Sequence, residues 1–286
     1  MQSLVRRGQV ADMVAGYGHV IVDECHHVPA VSFERVLSEV KARFITGLTA
    51  TPRRRDGLQP ILHMQLGPIR FTVDSRSKGA AFSFKRTLIL RETGFGPALP
   101  TEQGGIQVLY AQLAADKVRN DLICTDVIRA LGDGRSPIIL TERRDHLEYF
   151  AEHLRGYTRH LFVLQGSMKT TQRRETLASL ATVPASETRV LLATGRYIGE
   201  GFDDARLDTL FLALPVSWKG TLIQYAGRLH RVHAGKTEVR VYDYVDRQVP
   251  MLARMSERRL RGYHAMGYVQ ENENEGEEHE AATDEE

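Results

Sequence analysis

Cysteine is scarce in this sequence, with two in 286 residues, Cys25 and Cys124. That excludes a disulfide framework and a zinc site built on paired cysteines, and nothing calls for an oxidising compartment. Long apolar runs are also missing. No stretch approaches the roughly twenty residues needed to cross a bilayer, and Met1 to Arg7 lacks the apolar centre of a signal peptide. The expectation is a cytoplasmic protein with no membrane partner. Lysine and arginine are absent from the last sixteen residues, Glu271 to Glu286, which hold nine of the 36 acids. Without that tail 38 bases face 27 acids, so a formal charge of +2 conceals a body near +11. Such a body attracts polyanions, nucleic acid first, although scattered solvated charge gives the same total. The tail itself has too few apolar residues to build a core, and residues 269–286 are expected to be a disordered acidic segment.

What is present is organised around His19-Val20-Ile21-Val22-Asp23-Glu24-Cys25-His26-His27. A short apolar run, read as a buried β-strand, ends in two carboxylates and two imidazoles. A parallel strand delivers such side chains to the carboxyl edge of its sheet, where nucleotides bind in α/β proteins. A strand followed by a solvated acidic turn reads the same locally. Asp23-Glu24-Cys25-His26 resembles motif II of the DExH-type superfamily-2 helicases. The resemblance implies that Asp23 holds Mg²⁺ through water and that Glu24 orients and deprotonates the attacking water.

Downstream, Ser32 to Ala42 has helical spacing, with Val31, Phe33, Val36, Leu37 and Val40 on one face. Arg43 to Leu48 reads as a second strand running into Thr49-Ala50-Thr51-Pro52. Two strands joined by one helix make a βαβ unit, which brings Thr49 and Thr51 to the edge that carries Asp23. Thr49-Ala50-Thr51 looks like motif III of the same helicases. There His26, Thr49 and Thr51 would couple the acid pair to the nucleic-acid side of the lobe. Arg53-Arg54-Arg55 is a basic loop that suits phosphate or simple solvation.

Residues 1–92 are assigned to the carboxyl-terminal half of a first lobe and 93–112 to a connection rich in glycine and proline. Residues 113–268 form a second lobe. An amphipathic stretch, Ile106 to Leu131, precedes alternating strands and helices. The strands are read at 137–140, 160–164, 189–193, 209–214 and 238–242, with helices near 146–154, 171–180 and 222–229 and a closing helix at 249–266. This is the pattern of a parallel sheet covered on both faces.

Ala193-Thr194-Gly195-Arg196-Tyr197-Ile198-Gly199-Glu200-Gly201-Phe202-Asp203 follows a buried strand with glycines that let the backbone approach a ligand. It resembles helicase motif V, which implies nucleotide contacts by Gly201 and Asp203. Gln224-Tyr225-Ala226-Gly227-Arg228-Leu229-His230-Arg231 sets two arginines three apart on a helix. Planar guanidinium groups suit the charge developing on a γ-phosphoryl group. It looks like motif VI, whose arginine fingers would be Arg228 and Arg231, with Gln224 as helper. His160, His230 and His233 lack compact metal-ligand spacing. Tyr225, Trp218 and Phe202 are candidates for base stacking, with core packing the commoner use.

The phosphate loop Gly-x-x-x-x-Gly-Lys-Ser/Thr is absent; Gly235-Lys236-Thr237 imitates its end, but His230 stands where the first glycine belongs. The expectation is an α/β protein of two RecA-like lobes with parallel sheets, the first lobe incomplete. The family most similar in motif detail is the type III restriction enzyme helicase subunits together with the xeroderma pigmentosum B-like helicases. That resemblance implies an ATP- and Mg²⁺-dependent DNA helicase or translocase. The alternative is a non-catalytic nucleic-acid-binding or partner subunit that takes its phosphate loop from another segment or chain.

Overall fold

The computed structural model describes residues 5–6, 9–10, 15–25, 31–49, 59–72, 84–96, 105–195, 202–216 and 219–271. The chain divides into two compact units, Met1–Asp74 and Ser75–Glu286.

In the first unit, β1 (Val5–Arg6) and β2 (Gln9–Val10) form a small antiparallel ladder. Then come β3 (His19–Val22), α1 (Val31–Ser38), β4 (Phe44–Gly47) and α2 (Gln59–Leu66). β3 and β4 pair in parallel with Val22 opposite Gly47, as a βαβ unit requires. α1 stops at Ser38, short of the expected Ala42. Its last turn tightens into three-residue bonds, Glu39 N–H to the Val36 carbonyl and Val40 N–H to the Leu37 carbonyl, while the Ser38 hydroxyl donates to the Arg35 carbonyl. Val22, Cys25, Leu37 and Leu62 form the core, with Val20, Val40, Ile45 and Leu66 packed around them. Gly47 is forced by this packing. A Cβ there would lie 2.6 Å from Leu66 Cδ1 and 3.0 Å from Cys25 Sγ. α2, not foreseen from the sequence, supplies Leu62 and Leu66.

β3 is less covered than its sequence suggests. Val22 is buried, but Ile21 is 61 % exposed, as are Phe44 at 58 % and Leu48 at 50 %. The cause is the narrowness of the sheet, which has two strands where parallel sheets ordinarily bury both faces.

The second unit is built on a seven-stranded sheet. Its strands are β5 (Lys85–Glu92), β6 (Pro137–Thr141), β7 (His160–Leu164), β8 (Arg189–Thr194), β9 (Thr209–Leu212), β10 (Glu238–Val245) and β11 (Val269–Gln270). The spatial order is β11-β5-β10-β9-β6-β8-β7, and every pairing is parallel. α3 (Gly105–Ala115), α4 (Lys117–Gly132), α5 (Arg144–Leu154), α6 (Thr170–Thr182), α7 (Lys219–Leu229) and α8 (Pro250–Ala265) accompany it. Side chains alternate between two cores, as strands buried on both faces must. Ile138, Leu140, Leu191, Ala193, Leu210 and Val241 enter one, and Ile139, Val190, Leu192, Phe211, Ala213 and Tyr244 the other.

Three boundaries differ from the sequence reading. β5, placed there in the first lobe, pairs with β10 along all eight of its residues, so the units divide before it and not at 93–112. Phe95, inside the expected connection, is buried with Leu109, Leu113, Leu214, Val249, Leu252 and Met255. Val269 and Gln270, read as the start of the tail, are β11. The stretch 106–131 is two helices. Asp116 divides them by accepting the Arg119 N–H at 2.8 Å as an N-cap. Among the described residues no helix is long and apolar enough to cross a membrane.

Buried charges lie between the helices and the sheet. Arg119 donates to Asp246 at 2.9 Å and to the Ala213 carbonyl at 2.6 Å, while its guanidinium lies 5.7 Å from the Tyr244 ring centre. Arg259 grips Asp243 with two bonds of 2.7 and 2.8 Å. Each guanidinium faces a carboxylate, as buried ions must, although Nη1 of Arg259 is buried without a hydrogen-bond partner.

Candidate active site

In the first unit the acid pair stands at the carboxyl end of β3. Asp23 is exposed, and its Oδ1 accepts the backbone N–H of Glu24 at 2.9 Å. Glu24 is partly buried and has φ of +48°, a left-handed conformation that side chains other than glycine seldom adopt. The strand therefore turns sharply at the carboxylates. Backbone bonds then fasten this turn to the end of β4: Leu48 N–H donates to the Val22 carbonyl and Cys25 N–H to the Leu48 carbonyl, each at 2.9 Å. Thr49, one residue on, shares the edge with Asp23 and Glu24. Burial pushes the Cys25 thiol up, and the neighbouring carboxylates of Glu24 and Asp23 add to it. His26 and Thr51 lie outside the described residues, as does the Arg53-Arg54-Arg55 loop.

In the second unit three segments meet at the carboxyl edge. Glu142 follows β6, Gly195 follows β8, and Tyr225 comes from α7. The Tyr225 hydroxyl donates to Glu142 Oε1 at 3.2 Å. Burial, then the Glu142 carboxylate, drives the phenol pKa well above its usual value, so it remains a donor. Tyr225 and Phe202 are buried in the core and unavailable for stacking on a base; Trp218 lies outside the described residues. Glu142 escaped the sequence reading, yet its place directly after a parallel strand was the available signal.

Asp203 and Arg231 come together. Arg231 Nε donates to Asp203 Oδ1 at 3.1 Å, with both side chains more than half exposed. Gln224 and Arg228 lie on α7, each partly buried. Arg231 does not share that helix with Arg228, because α7 ends at Leu229 and His230 N–H closes a turn on the Gly227 carbonyl. Lys236 supports the turn. Its ammonium donates to the carbonyls of Leu207 at 2.7 Å, Arg231 at 2.9 Å and Leu229 at 3.1 Å. Burial lowers its pKa to about 8. Gly235-Lys236-Thr237 is thus a helix-end cap, and its lysine has all three donors engaged. His230 bonds the Tyr268 hydroxyl at 3.0 Å, and burial, with the charges of Arg86 and Lys236, lowers its pKa to about 4. His160 bonds Glu187 at 2.6 Å. Gly201 lies outside the described residues.

Two protein families match the chain: "Type III restriction enzyme, res subunit" over residues 7–54 and "Helicase conserved C-terminal domain" over residues 116–233. Putative helicase 161L of Invertebrate iridescent virus 6 is 28 % identical over 268 residues, covering 90 % of this chain and 57 % of the viral protein. Probable helicase D10 of Escherichia phage T5 is 25 % identical over 236 residues, covering 80 % and 49 %. The chain thus spans about half the length of these relatives. Among solved structures, Saccharomyces cerevisiae Dbp5 bound to RNA and ADP BeF3 superposes with a TM-score of 0.58 at 12 % identity, covering 94 % of this chain and 63 % of Dbp5. That likeness bears on the fold alone, which is the RecA-like α/β architecture of helicase domains.

Proposed function

This chain belongs to the superfamily-2 helicases, and we propose that it works as part of an ATP-driven motor on DNA. The observation that carries the reading is the Asp203–Arg231 pair. It joins the acid that ends one candidate nucleotide segment to an arginine of the other at 3.1 Å, although 27 residues separate them in sequence. An exposed ion pair of this kind contributes about 0–1 kcal/mol to folding, so stability is a poor reason for its presence. Arg231 can exchange Asp203 for a phosphoryl oxygen at little cost.

In this reading Asp23 offers hard carboxylate oxygen at an exposed strand end, the donor type that Mg²⁺ prefers, and would hold the ion through water. Bound there, Mg²⁺ would supply charge neutralisation on the phosphates. Glu24, fixed in its turn by the Cys25–Leu48 and Leu48–Val22 bonds, would orient and deprotonate the attacking water. Arg228 and Arg231 would stabilise charge on the transferred phosphoryl group, with Gln224 beside them and Gly201 and Asp203 at the nucleotide. His26, Thr49 and Thr51 would couple hydrolysis to the DNA strand. The unit Met1–Asp74 would belong to the first motor lobe and the unit Ser75–Glu286 to the second. The restriction-enzyme family match supports DNA as the track.

One observation favours a second reading, in which a further segment or subunit brings the phosphate loop. Ile21, Phe44 and Leu48 expose apolar surface on a two-stranded parallel sheet, a face that additional α/β structure would cover. In that case the chain by itself binds DNA without turning ATP over.

ATP turnover measured with and without DNA tests both. The motor reading expects DNA-stimulated hydrolysis, in this chain or in this chain joined to a segment carrying the loop. Glu24→Gln should abolish hydrolysis while sparing nucleotide binding, and Arg231→Ala should lower it at least a hundredfold, the scale of losing one transition-state donor. Turnover retained in Glu24→Gln removes Glu24 from the base role. Salt-sensitive DNA binding by the chain alone, with turnover confined to the form that carries the loop, supports the partner reading.

A further inference from the structure

α8 presents a line of arginines that no candidate motif uses. Its inner side is anchored: Leu252, Met255 and Tyr263 are buried, and Arg259 is locked to Asp243. Gly262 packs so closely on α7 that a Cβ would lie 2.9 Å from Leu222 Cδ2. The outer side carries Arg254, Arg258 and Arg261, all exposed. Spacings of four and three residues place them in one stripe. With a rise of about 1.5 Å per residue, the stripe is roughly 10 Å long. None of the three forms an ion pair with a described carboxylate, Glu257 beside them included. Arginine presented this way on a helix, unpaired with any described carboxylate, is suited to bidentate contacts with phosphate.

We propose that Arg254, Arg258 and Arg261 form a nucleotide-independent docking surface for the phosphate backbone of duplex nucleic acid. Two features favour a duplex. One strand of a duplex presents a phosphate about every 3.4 Å of axis, so a line of roughly 10 Å spans about three. Single-strand surfaces ordinarily add large aromatic platforms for the bases, whereas Tyr263 of α8 is fully buried and the exposed ring in line with the stripe is the smaller imidazole of His264. Binding here needs neither ATP nor Asp23, Glu24, Arg228 or Arg231. It anchors the second unit on the track without reading sequence, because phosphate contacts position and do not specify.

The test is fluorescence anisotropy of a labelled 20-base-pair duplex with the full chain, across about 50–200 mM salt and without nucleotide. The triple variant Arg254→Ser, Arg258→Ser, Arg261→Ser should bind at least tenfold more weakly at about 100 mM salt. Its salt slope should fall by about 2–3, the loss of three phosphate contacts. The triple lysine variant should keep most of the slope, and Glu257→Gln should tighten binding. All variants should melt as the wild type does, because only exposed side chains change. Unchanged affinity and slope in the serine variant overturn the proposal, as they would if the acidic tail already occupied the stripe; so does a wild-type chain that fails to bind the duplex. ATP turnover in the same variants separates this surface from the motor reading, since either activity can be lost while the other remains.

Discussion

The hydroxyl of Tyr225 donates to Oε1 of Glu142 across the volume that a β-carbon on residue 195 would fill. Three sequence-distant segments are thereby locked at one sheet edge: the end of β6, the turn after β8 and the helix that carries Arg228. Glycine at 195 is a steric requirement of that contact.

Gly195→Ala is therefore expected to destabilise the second unit by about 1–3 kcal/mol, the usual cost of overpacking a tight site. The new methyl would collide with the Tyr225 hydroxyl and come within 2.6 Å of Glu142 Oε1. Tyr225→Phe alone should cost about 1 kcal/mol for its hydrogen bond. In the double variant the loss should be smaller than the sum, because removing the hydroxyl frees part of the space. Urea titrations of the four proteins measure the cycle; strict additivity would contradict the steric account.

The Arg259–Asp243 pair gives a second expectation. Replacing either partner alone, by Arg259→Met or Asp243→Asn, leaves a buried group uncompensated and should cost about 3–5 kcal/mol. Replacing both by apolar residues of similar volume should cost much less. Chemical denaturation would refute the expectation if the single changes proved milder than the double.

Acid sensitivity follows from two histidines. Burial holds His146 at about 3, aided by the charge of Arg119, and His230 at about 4, against an ordinary value of 6.5. Both rings are neutral in the fold and become protonated in the unfolded chain as pH falls through 6.5. Stability should decline from about pH 6.5 downward, with these two contributions exhausted near pH 4 and 3, and total on the order of 8 kcal/mol. NMR titration of the ring protons checks the premise. A midpoint near 6.5 for either ring would remove its share.

Both thiols should be inert in the native protein. Cys25 is 4 % and Cys124 8 % exposed, and burial raises both, Cys124 to about 12. A thiolate is the reactive species, so an aromatic disulfide reagent at pH 8 should label neither until denaturant is added. Rapid labelling of one cysteine without denaturant would show that its side opens locally.

Much of this architecture was legible in the residues. The apolar runs of β6, β8 and β10 announced buried parallel strands, and the spacing of α5 and α7 matched helices. The acid pair after β3 and the arginines after Gly227 were visible as chemistry before any geometry. Pairing over long distances was not. Lys85–Glu92 reads as an isolated strand, and nothing local states that its partner begins at Glu238. Nor does the sequence disclose that Arg119, Asp243, Asp246 and Arg259 are internal, because a charged residue reads as solvated until its counter-ion is located. Arg231 was expected within a helix because spacing of three suits one; the cap made by Lys236 decides that the helix ends first.

The neighbouring placement of β5 and β11 has a consequence for how this unit could be rejoined or inserted elsewhere. Lys85, at the start of the first strand, lies 3.7 Å from the carboxylate of Glu271, just past the last, and Glu271 N–H donates to Leu88 on that first strand. Entry and exit of the polypeptide are thus adjacent on one border of the sheet. A short linker could join them and new ends could be opened in a surface turn, giving a circular permutant with the same seven-stranded order. Equally, the whole cassette could be spliced into a host loop whose ends lie close together, without threading or re-pairing a strand.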